Sequence, residues 1–279
     1  GIVPLGAEKA DRQPKIRPWK ELSADERAVE TRGMEVYAGM LDAMDYHYGR
    51  VVDFLKDIGE YDNTVVIFLS DNGANPWYSH EYPEADSPEF QTQFDNTLEN
   101  IGRPGSNHAY GIGFASGSGG PLDQFKLTCC AGGLRVPLII SGPVNKAGQQ
   151  NDAFAYVWDI MPTVLEMAGV EYPEEFQGHK VEPMRGRSMQ ALLDGSKKAI
   201  YGEDEFIGGE MGNGKWMRQD DFKAVMLPQP YGNANWQLFN VIDDPGEASD
   251  LSKKMPDKLE ILKNAWEQYA SDVGVILSN

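Results

Sequence analysis

Thr64-Val65-Val66-Ile67-Phe68-Leu69-Ser70-Asp71-Asn72-Gly73 is the stretch whose reading decides the fold. It begins as an uncharged run of β-branched and aromatic residues, a composition that suits a strand buried on both faces, as in a parallel sheet. It then stops at Asp-Asn-Gly. In open α/β sheets, ligand-binding groups collect beyond the carboxyl ends of the strands. Asp71 and Asn72 stand at such a place, and both offer oxygen ligands suited to a hard cation. Gly73 lets the chain turn sharply with no side chain in the way. The competing reading is an ordinary Asx-turn, for which Asp-Asn-Gly is common chemistry.

The flanking sequence supports an α/β unit. Ser23-Ala24-Asp25-Glu26 reads as a helix start, with a Ser cap and acidic residues in the first turn. The spacing of Met34, Tyr37, Met40, Leu41, Met44, Tyr48, Val51, Val52 and Leu55 predicts one long helix to about residue 58, stopped at Gly59. Helix followed by buried strand is half of a parallel α/β unit. His47 lies on this helix and reads as a surface or packing residue.

Composition bounds the function classes. The chain has 279 residues, is 41% hydrophobic and can fill a sizeable core. No run approaches the ~18–20 apolar residues of a membrane-crossing helix. A formal charge of −18 argues against non-specific binding to nucleic acid or anionic membrane. An anionic substrate therefore needs a local site of lysine, arginine or metal. The two cysteines, Cys129 and Cys130, are adjacent and read as small buried side chains, since neighbours bridge only with backbone strain. Gly1-Ile2-Val3-Pro4-Leu5-Gly6 has neither an initiating Met nor a charged leader and reads as a cut end.

Residues 73–125, rich in Gly, Ser, Asn and Pro, are expected to form a long loop lining a substrate pocket. His80 and His108 lie in it, and each reads as an exposed loop histidine. Gly132-Gly133 predicts a tight turn and Leu138-Ile139-Ile140 a second short strand. Lys126 stands just before that turn; a surface lysine is the plain reading. Residues 157–169 predict a helix capped by Asp159, and 188–193 a short one closed at Gly195. From Lys197 the pattern changes to short strand-like runs at 215–218, 222–227 and 236–240, an antiparallel sheet. Asp243-Asp244-Pro245-Gly246-Glu247 reads as a turn. Residues 256–272 predict a final amphipathic helix with Leu259, Leu262, Trp266 and Tyr269 on one face. The division expected is 1–196 for the α/β part and 197–279 for the sheet-and-helix subdomain.

Several stretches in this order are similar to one family. They are Tyr37-Ala38-Gly39-Met40 through Gly49-Arg50-Val51-Val52, Asp62-Asn63-Thr64 into Ser70-Asp71-Asn72-Gly73, Gly132-Gly133-Leu134-Arg135-Val136-Pro137, Asp159-Ile160-Met161-Pro162-Thr163, and Trp236-Gln237-Leu238-Phe239 through Asp244-Pro245-Gly246-Glu247. Over about residues 30–272 the chain resembles the carboxyl-terminal half of a type I sulfatase, close to bacterial arylsulfatases.

The resemblance implies part of an alkaline-phosphatase-like α/β sandwich with a small carboxyl-terminal antiparallel α+β subdomain. It implies hydrolysis of sulfate esters with a bound calcium ion, in a periplasmic or secreted setting. It implies that Asp71 and Asn72 ligate the metal and that Lys126, five residues before Ala131, contacts the sulfate. The position of Ala131 is often acidic or Gln in the family. A divalent cation and an ammonium group suit the charge that builds on the sulfuryl and leaving oxygens. Oxygen-only ligands separate this pattern from zinc phosphatases, where an Asp-His-Gly would be expected.

The family's nucleophile, a formylglycine made within C/S-x-P-S/A-R, has no counterpart: neither Cys129 nor Cys130 is followed by that sequence, and Ser141-Gly142-Pro143 continues into Val144-Asn145. The family's amino-terminal metal-binding Asp pair and its catalytic histidines also have none. The chain therefore reads as a sulfatase fragment whose partner is a missing amino-terminal half, inactive by itself and short of calcium ligands. A non-catalytic sulfatase-like binding or structural module is the alternative, and a phosphatase or phosphodiesterase on the same fold is a third reading.

Overall fold

The long helix starts where the Ser23 hydroxyl accepts the Glu26 amide and the Glu26 carboxylate accepts the Ser23 amide, each end satisfying a donor the other lacks. In this computed structural model, which describes residues 6, 10–11, 13, 15–81, 90, 92–144 and 148–277, that helix is α1, Ala24–Asp57. Gly59, with φ of 77°, ends it in the left-handed conformation that glycine adopts readily. The chain divides into two compact units, one of Gly1–Phe54, Leu69–Leu138 and Phe206–Asn279, the other of Leu55–Phe68 and Ile139–Glu205.

The first unit contains most of α1, α2 (Gly111–Gly119), a single helical turn α3 (Ala131–Leu134), and the carboxyl-terminal sheet. The sheet is antiparallel in the order β5 (Phe206–Met211), β6 (Gly214–Gln219), β7 (Phe222–Met226), β8 (Trp236–Asn240). Its register aligns Gly208, Met217, Ala224 and Leu238 in one row across the strands. The final helix α6, Pro256–Val273, packs on that row through Leu262 and Trp266. The indole N–H of Trp266 donates to the Gly209 carbonyl at 3.1 Å, so the largest core side chain leaves no polar atom unsatisfied. The opposite face, which carries Trp216, Lys223, Val225 and Phe239, is also buried.

The sequence reading misses β5. Its glycine pair hides the strand pattern, but a side chain at Gly208 would meet Met217 and one at Gly209 would meet the Trp216 ring. Glycine is there because its cross-strand neighbours are large.

The second unit contains most of β1 (Val66–Leu69) and of its partner β2 (Leu138–Ser141), together with α4 (Ile160–Ala168), the hairpin β3 (Glu175–Phe176) and β4 (His179–Lys180), and α5 (Gln190–Leu193). Gln177 and Gly178, both at positive φ, make the tight hairpin turn. The Asp159 carboxylate is fully buried. It does not cap α4 as the sequence suggests; it accepts the Tyr156 and Arg187 amides at 2.6 and 2.8 Å and the Tyr201 hydroxyl at 2.5 Å. The Tyr201 hydroxyl, burying its own proton against that carboxylate, titrates well above the usual phenol range, with desolvation the larger cause.

Two further expectations are corrected. β1 is not buried on both faces: Phe68 is 44% exposed, because among the described residues β1 pairs with β2 alone and a two-stranded sheet has few side chains to cover either face. The stretch 73–125 is not all loop, since α2 lies within it and Ser79–Glu81 form a 3-10 turn. Residues 82–89 and 91 of that stretch, and the side chain of His80, lie outside the described residues.

Candidate functional site

The residues singled out by the sequence lie on two segments of the first unit, and backbone hydrogen bonds tie those segments together. One is the corner after β1. There the Ser70 hydroxyl donates to the Asn72 carbonyl at 2.8 Å and folds the backbone over. Asp71 is exposed and Asn72 half-buried. Gly73 donates its N–H to the Gly133 carbonyl at 3.0 Å, and a side chain at 73 would run into the Gly132 carbonyl. Gly73 is thus required by close approach of two backbones rather than by its own φ.

The other segment is 123–134. Lys126 donates its backbone N–H to the Ala74 carbonyl at 3.0 Å, which lays the lysine beside the corner. Two non-glycine residues with left-handed backbone, Gln124 (φ 65°) and Leu127 (φ 73°), bracket Phe125 and Lys126. Such conformations persist only where surrounding contacts over-determine them, and they cluster at working sites. The contacts are present. Phe125 is fully buried and packs edge-on against Tyr231 at 5.5 Å, the Gln124 amide donates to the Tyr231 carbonyl, and the Thr128 hydroxyl donates to the Phe125 carbonyl at 2.7 Å.

Sequence reading predicts a tight turn at Gly132-Gly133; the structure forms the single helical turn α3 there. A side chain at Gly132 would strike the Gln124 carbonyl, and one at Gly133 the Thr128 carbonyl. The turn is held from beneath by charge. Glu247 accepts the Ala131 amide at 2.8 Å with one oxygen and the Lys223 ammonium at 2.6 Å with the other, and its side chain has no solvent exposure. Asp123 lies close by and hydrogen-bonds the Cys130 thiol. Burial, with the nearby Glu247 carboxylate second, pushes Asp123 up to about 6. Burial pushes the Cys129 thiol up to about 11 and holds the Cys130 thiol well above the usual thiol range, so both are packed thiols and poor nucleophiles.

Asp71, Asn72 and Lys126 make no side-chain hydrogen bond or ion pair among the described residues. The donors are all oxygen at the corner and ammonium beside it. That set fits a hard cation with an anion next to it in kind, although among the described residues no group of three or more His, Cys, Asp or Glu side chains gathers to hold a metal. Asp244 does what a turn residue does, accepting the Ala248 and Ser249 amides. Glu247, read from the sequence as part of the same turn, instead points inward.

His108 is not an exposed loop residue. It is half-buried with its ring against Gly33, where an added side chain would come within 2.8 Å of Nε2, and this contact explains the one buried residue of α1. His47, on the solvent side of α1, shares a hydrogen bond with Arg50 at 2.9 Å, as a surface residue would.

Comparison with known proteins bears on the family and the fold. The family model described as Sulfatase matches residues 7–170, and that described as N-sulphoglucosamine sulphohydrolase, C-terminal, matches 127–271. An uncharacterized sulfatase of Schizosaccharomyces pombe is 36% identical over 263 residues, covering 93% of this chain and 47% of that protein. An arylsulfatase of Klebsiella aerogenes is 35% identical over 178 residues, 63% of this chain and 38% of that one. An N-acetylglucosamine-6-O-sulfatase of Bacteroides thetaiotaomicron is 26% identical over 246 residues, 85% of this chain and 36% of that one. The chain thus spans half or less of the length of these curated relatives. Among solved structures, one described as Ps i-CgsB superimposes with a TM-score of 0.59 at 23% identity, covering 91% of this chain and 48% of that one. A protein solved in complex with its substrate D-glucosamine-2-N,6-O-disulfate superimposes with a TM-score of 0.51 at 21% identity, covering 83% and 39%. These likenesses establish the alkaline-phosphatase-like fold. A family model matched along more than half of the chain, and a relative 36% identical along nearly all of it, make this chain a member of the sulfatase family.

Proposed function

We propose that this chain supplies the metal-binding corner and one sulfate contact of a sulfate-ester hydrolase. The observation that carries the reading is the pair of backbone bonds, Gly73 to Gly133 and Lys126 to Ala74, which hold an oxygen-donor corner beside a lysine whose ammonium has no protein partner among the described residues. Asp71 and Asn72 would hold calcium, which when bound stabilises negative charge on the sulfuryl oxygens. Calcium takes ~6–8 oxygen ligands, so residues outside this chain complete the shell. Lys126 binds a sulfate oxygen and orients the ester.

The nucleophile also comes from outside the chain. No C/S-x-P-S/A-R sequence is present, and both cysteines are buried with raised pKa values. The chain is accordingly read as the carboxyl-terminal half of a longer enzyme, inactive by itself. The non-catalytic module remains the second reading because the same absence favours it.

The test uses the intact protein with an aryl sulfate, an amino-sugar sulfate and the matching phosphate ester, the sulfates being chosen after the relatives' names. Sulfate-ester turnover that needs calcium is expected, and Lys126→Ala should lower kcat/KM about 10²–10³-fold, as loss of one charge-stabilising donor does. Asp71→Ala should raise the calcium required. Binding of sulfated ligand without turnover would favour the module, and faster phosphate hydrolysis the phosphatase reading. Turnover by the 279-residue chain alone, abolished by Lys126→Ala, would overturn the external nucleophile.

A further inference from the structure

We propose that Glu247 is a positioning residue of this site: through the Ala131 amide it fixes the helical turn from which both the Asp71–Asn72 corner and the Lys126 loop hang. The functional half of the inference rests on the reading above; the positioning half does not.

The connection can be followed bond by bond. One oxygen of Glu247 is anchored at 2.6 Å on Lys223, which is buried on the face of the sheet opposite α6. The other oxygen holds the first amide of α3 at 2.8 Å. The same turn donates the Gly132 amide to the Asp123 carbonyl at 2.6 Å, setting the start of the Lys126 loop, and accepts the Gly73 amide at 3.0 Å, setting the corner. Gly73 and Gly132 approach too closely for any side chain between them, so a shift of α3 has no slack to absorb it and must move the corner.

Stability alone does not call for this arrangement. A buried ion pair is seldom worth more than well-packed apolar groups of the same volume. Here Glu247 is also held with left-handed backbone, φ 55°, which a non-glycine residue adopts only under constraint. A carboxylate differs from an apolar group in directing a backbone amide, and the amide it directs belongs to the turn joining the two site segments. The sequence similarity scored the Asp-Pro-Gly-Glu run only as a family mark; the structure gives its last residue a task 116 positions away.

The test is residue-resolved amide exchange on the intact protein. Lys223→Met/Glu247→Met replaces the pair with apolar groups and removes the acceptor, while Lys223→Met/Glu247→Gln removes the charges and keeps an oxygen for Ala131. The first should speed exchange at Gly73 and Lys126 about tenfold, the loss of one buried hydrogen bond, and leave Trp216 and Val225 protected. The second should restore protection. Ala131→Pro serves as the check if the apolar pair fails to fold. It deletes the same donor at the first position of a helical turn, where proline is tolerated, after a residue, Cys130, already extended at ψ 167°. It should loosen Gly73 and Lys126 alike. Unchanged exchange at both amides in a folded variant lacking the bond to Ala131 overturns the proposal. In the active protein, the loosened variants should need about tenfold more calcium for half-maximal rate, with restoration by the Gln variant. Looser amides with an unaltered calcium requirement would overturn the functional half alone. Absence of any sulfatase activity in the unmutated protein would count against the function proposed above and leave the exchange result to decide positioning.

Discussion

Two parts of the first unit treat their apolar residues in opposite ways. In the carboxyl-terminal sheet and α6, Met217, Ala224, Leu238, Leu262 and Trp266 are 2% exposed or less. Along α1, Tyr37, Leu41, Met44, Tyr48, Val51 and Leu55 recur at alternating four- and three-residue intervals, yet Leu41, Met44, Tyr48 and Val51 are 41–56% exposed. The pattern of α1 is that of a helix with one face meant to be covered. The difference teaches that a sequence can encode burial that the chain itself does not deliver. The chain matches half or less of the length of its relatives, and on the reading proposed above the α1 stripe is the face that the remainder of a longer enzyme would cover.

The sharpest way to break this comparison is at its dense end. Trp266→Ala should destabilise the chain by about 3–5 kcal/mol, since it removes a large buried side chain and its bond to Gly209. Chemical denaturation monitored by fluorescence of the remaining tryptophans measures it. A loss below about 1 kcal/mol would mean that α6 is not integral to the sheet.

Lys223→Met alone comes next. It leaves the Glu247 carboxylate buried without its partner, a change expected to cost about 3 kcal/mol or more. The double replacement with Glu247→Gln should recover most of that loss. Equal stability of the single and double variants would show that the two side chains are not coupled.

Much of this architecture was legible in the sequence. α1, α6, the Asp71-Asn72-Gly73 corner and three of the four carboxyl-terminal strands follow from local periodicity and turn chemistry. Those signals depend on neighbours within a few residues. What was not legible depends on distant partners. Gly208 and Gly209 look like strand breakers until Met217 and Trp216 are seen opposite them. Glu247 looks like one more turn acid until its hydrogen bond to Ala131 is seen. Gly33 and His108 look unremarkable separately and explain each other only when packed together. For the candidate site, Asp71 and Asn72 stood out by their place beyond the strand and their oxygen donors, the role of Lys126 came from family resemblance, and their juxtaposition needed the backbone bonds to Gly133 and Ala74.

Asp123 gives a smaller effect with a defined sign. Its carboxyl sits at about 6 in the folded chain against an ordinary 3.8, chiefly because burial penalises the charged form. The folded state therefore binds more protons than the unfolded state between those values. Stability contributed by this group is complete below about pH 3.8, declines as pH rises, and is gone above about 6. The decline should amount to about 2–3 kcal/mol. Asp123→Asn should flatten this part of the pH profile, measured as unfolding free energy from pH 4 to 7, and should make the protein relatively more stable at neutral pH. A profile unchanged by the substitution would place the titration elsewhere.

The smallest expected effect sharpens the other end of the comparison. Val51 is 56% exposed on α1, so Val51→Glu should change the stability of the 279-residue chain by no more than about 0.5 kcal/mol. Glutamate is a better helix former than valine, which favours the variant slightly. In the intact protein the same substitution should behave differently. If the rest of the catalytic domain lies on the stripe, the introduced carboxylate is buried and unpaired and should destabilise by several kcal/mol. The paired measurement is the unfolding midpoint of chain and intact protein, each with and without the substitution. A neutral result in both would leave α1 a free surface helix, and its regular apolar spacing would then need another explanation than a covering domain.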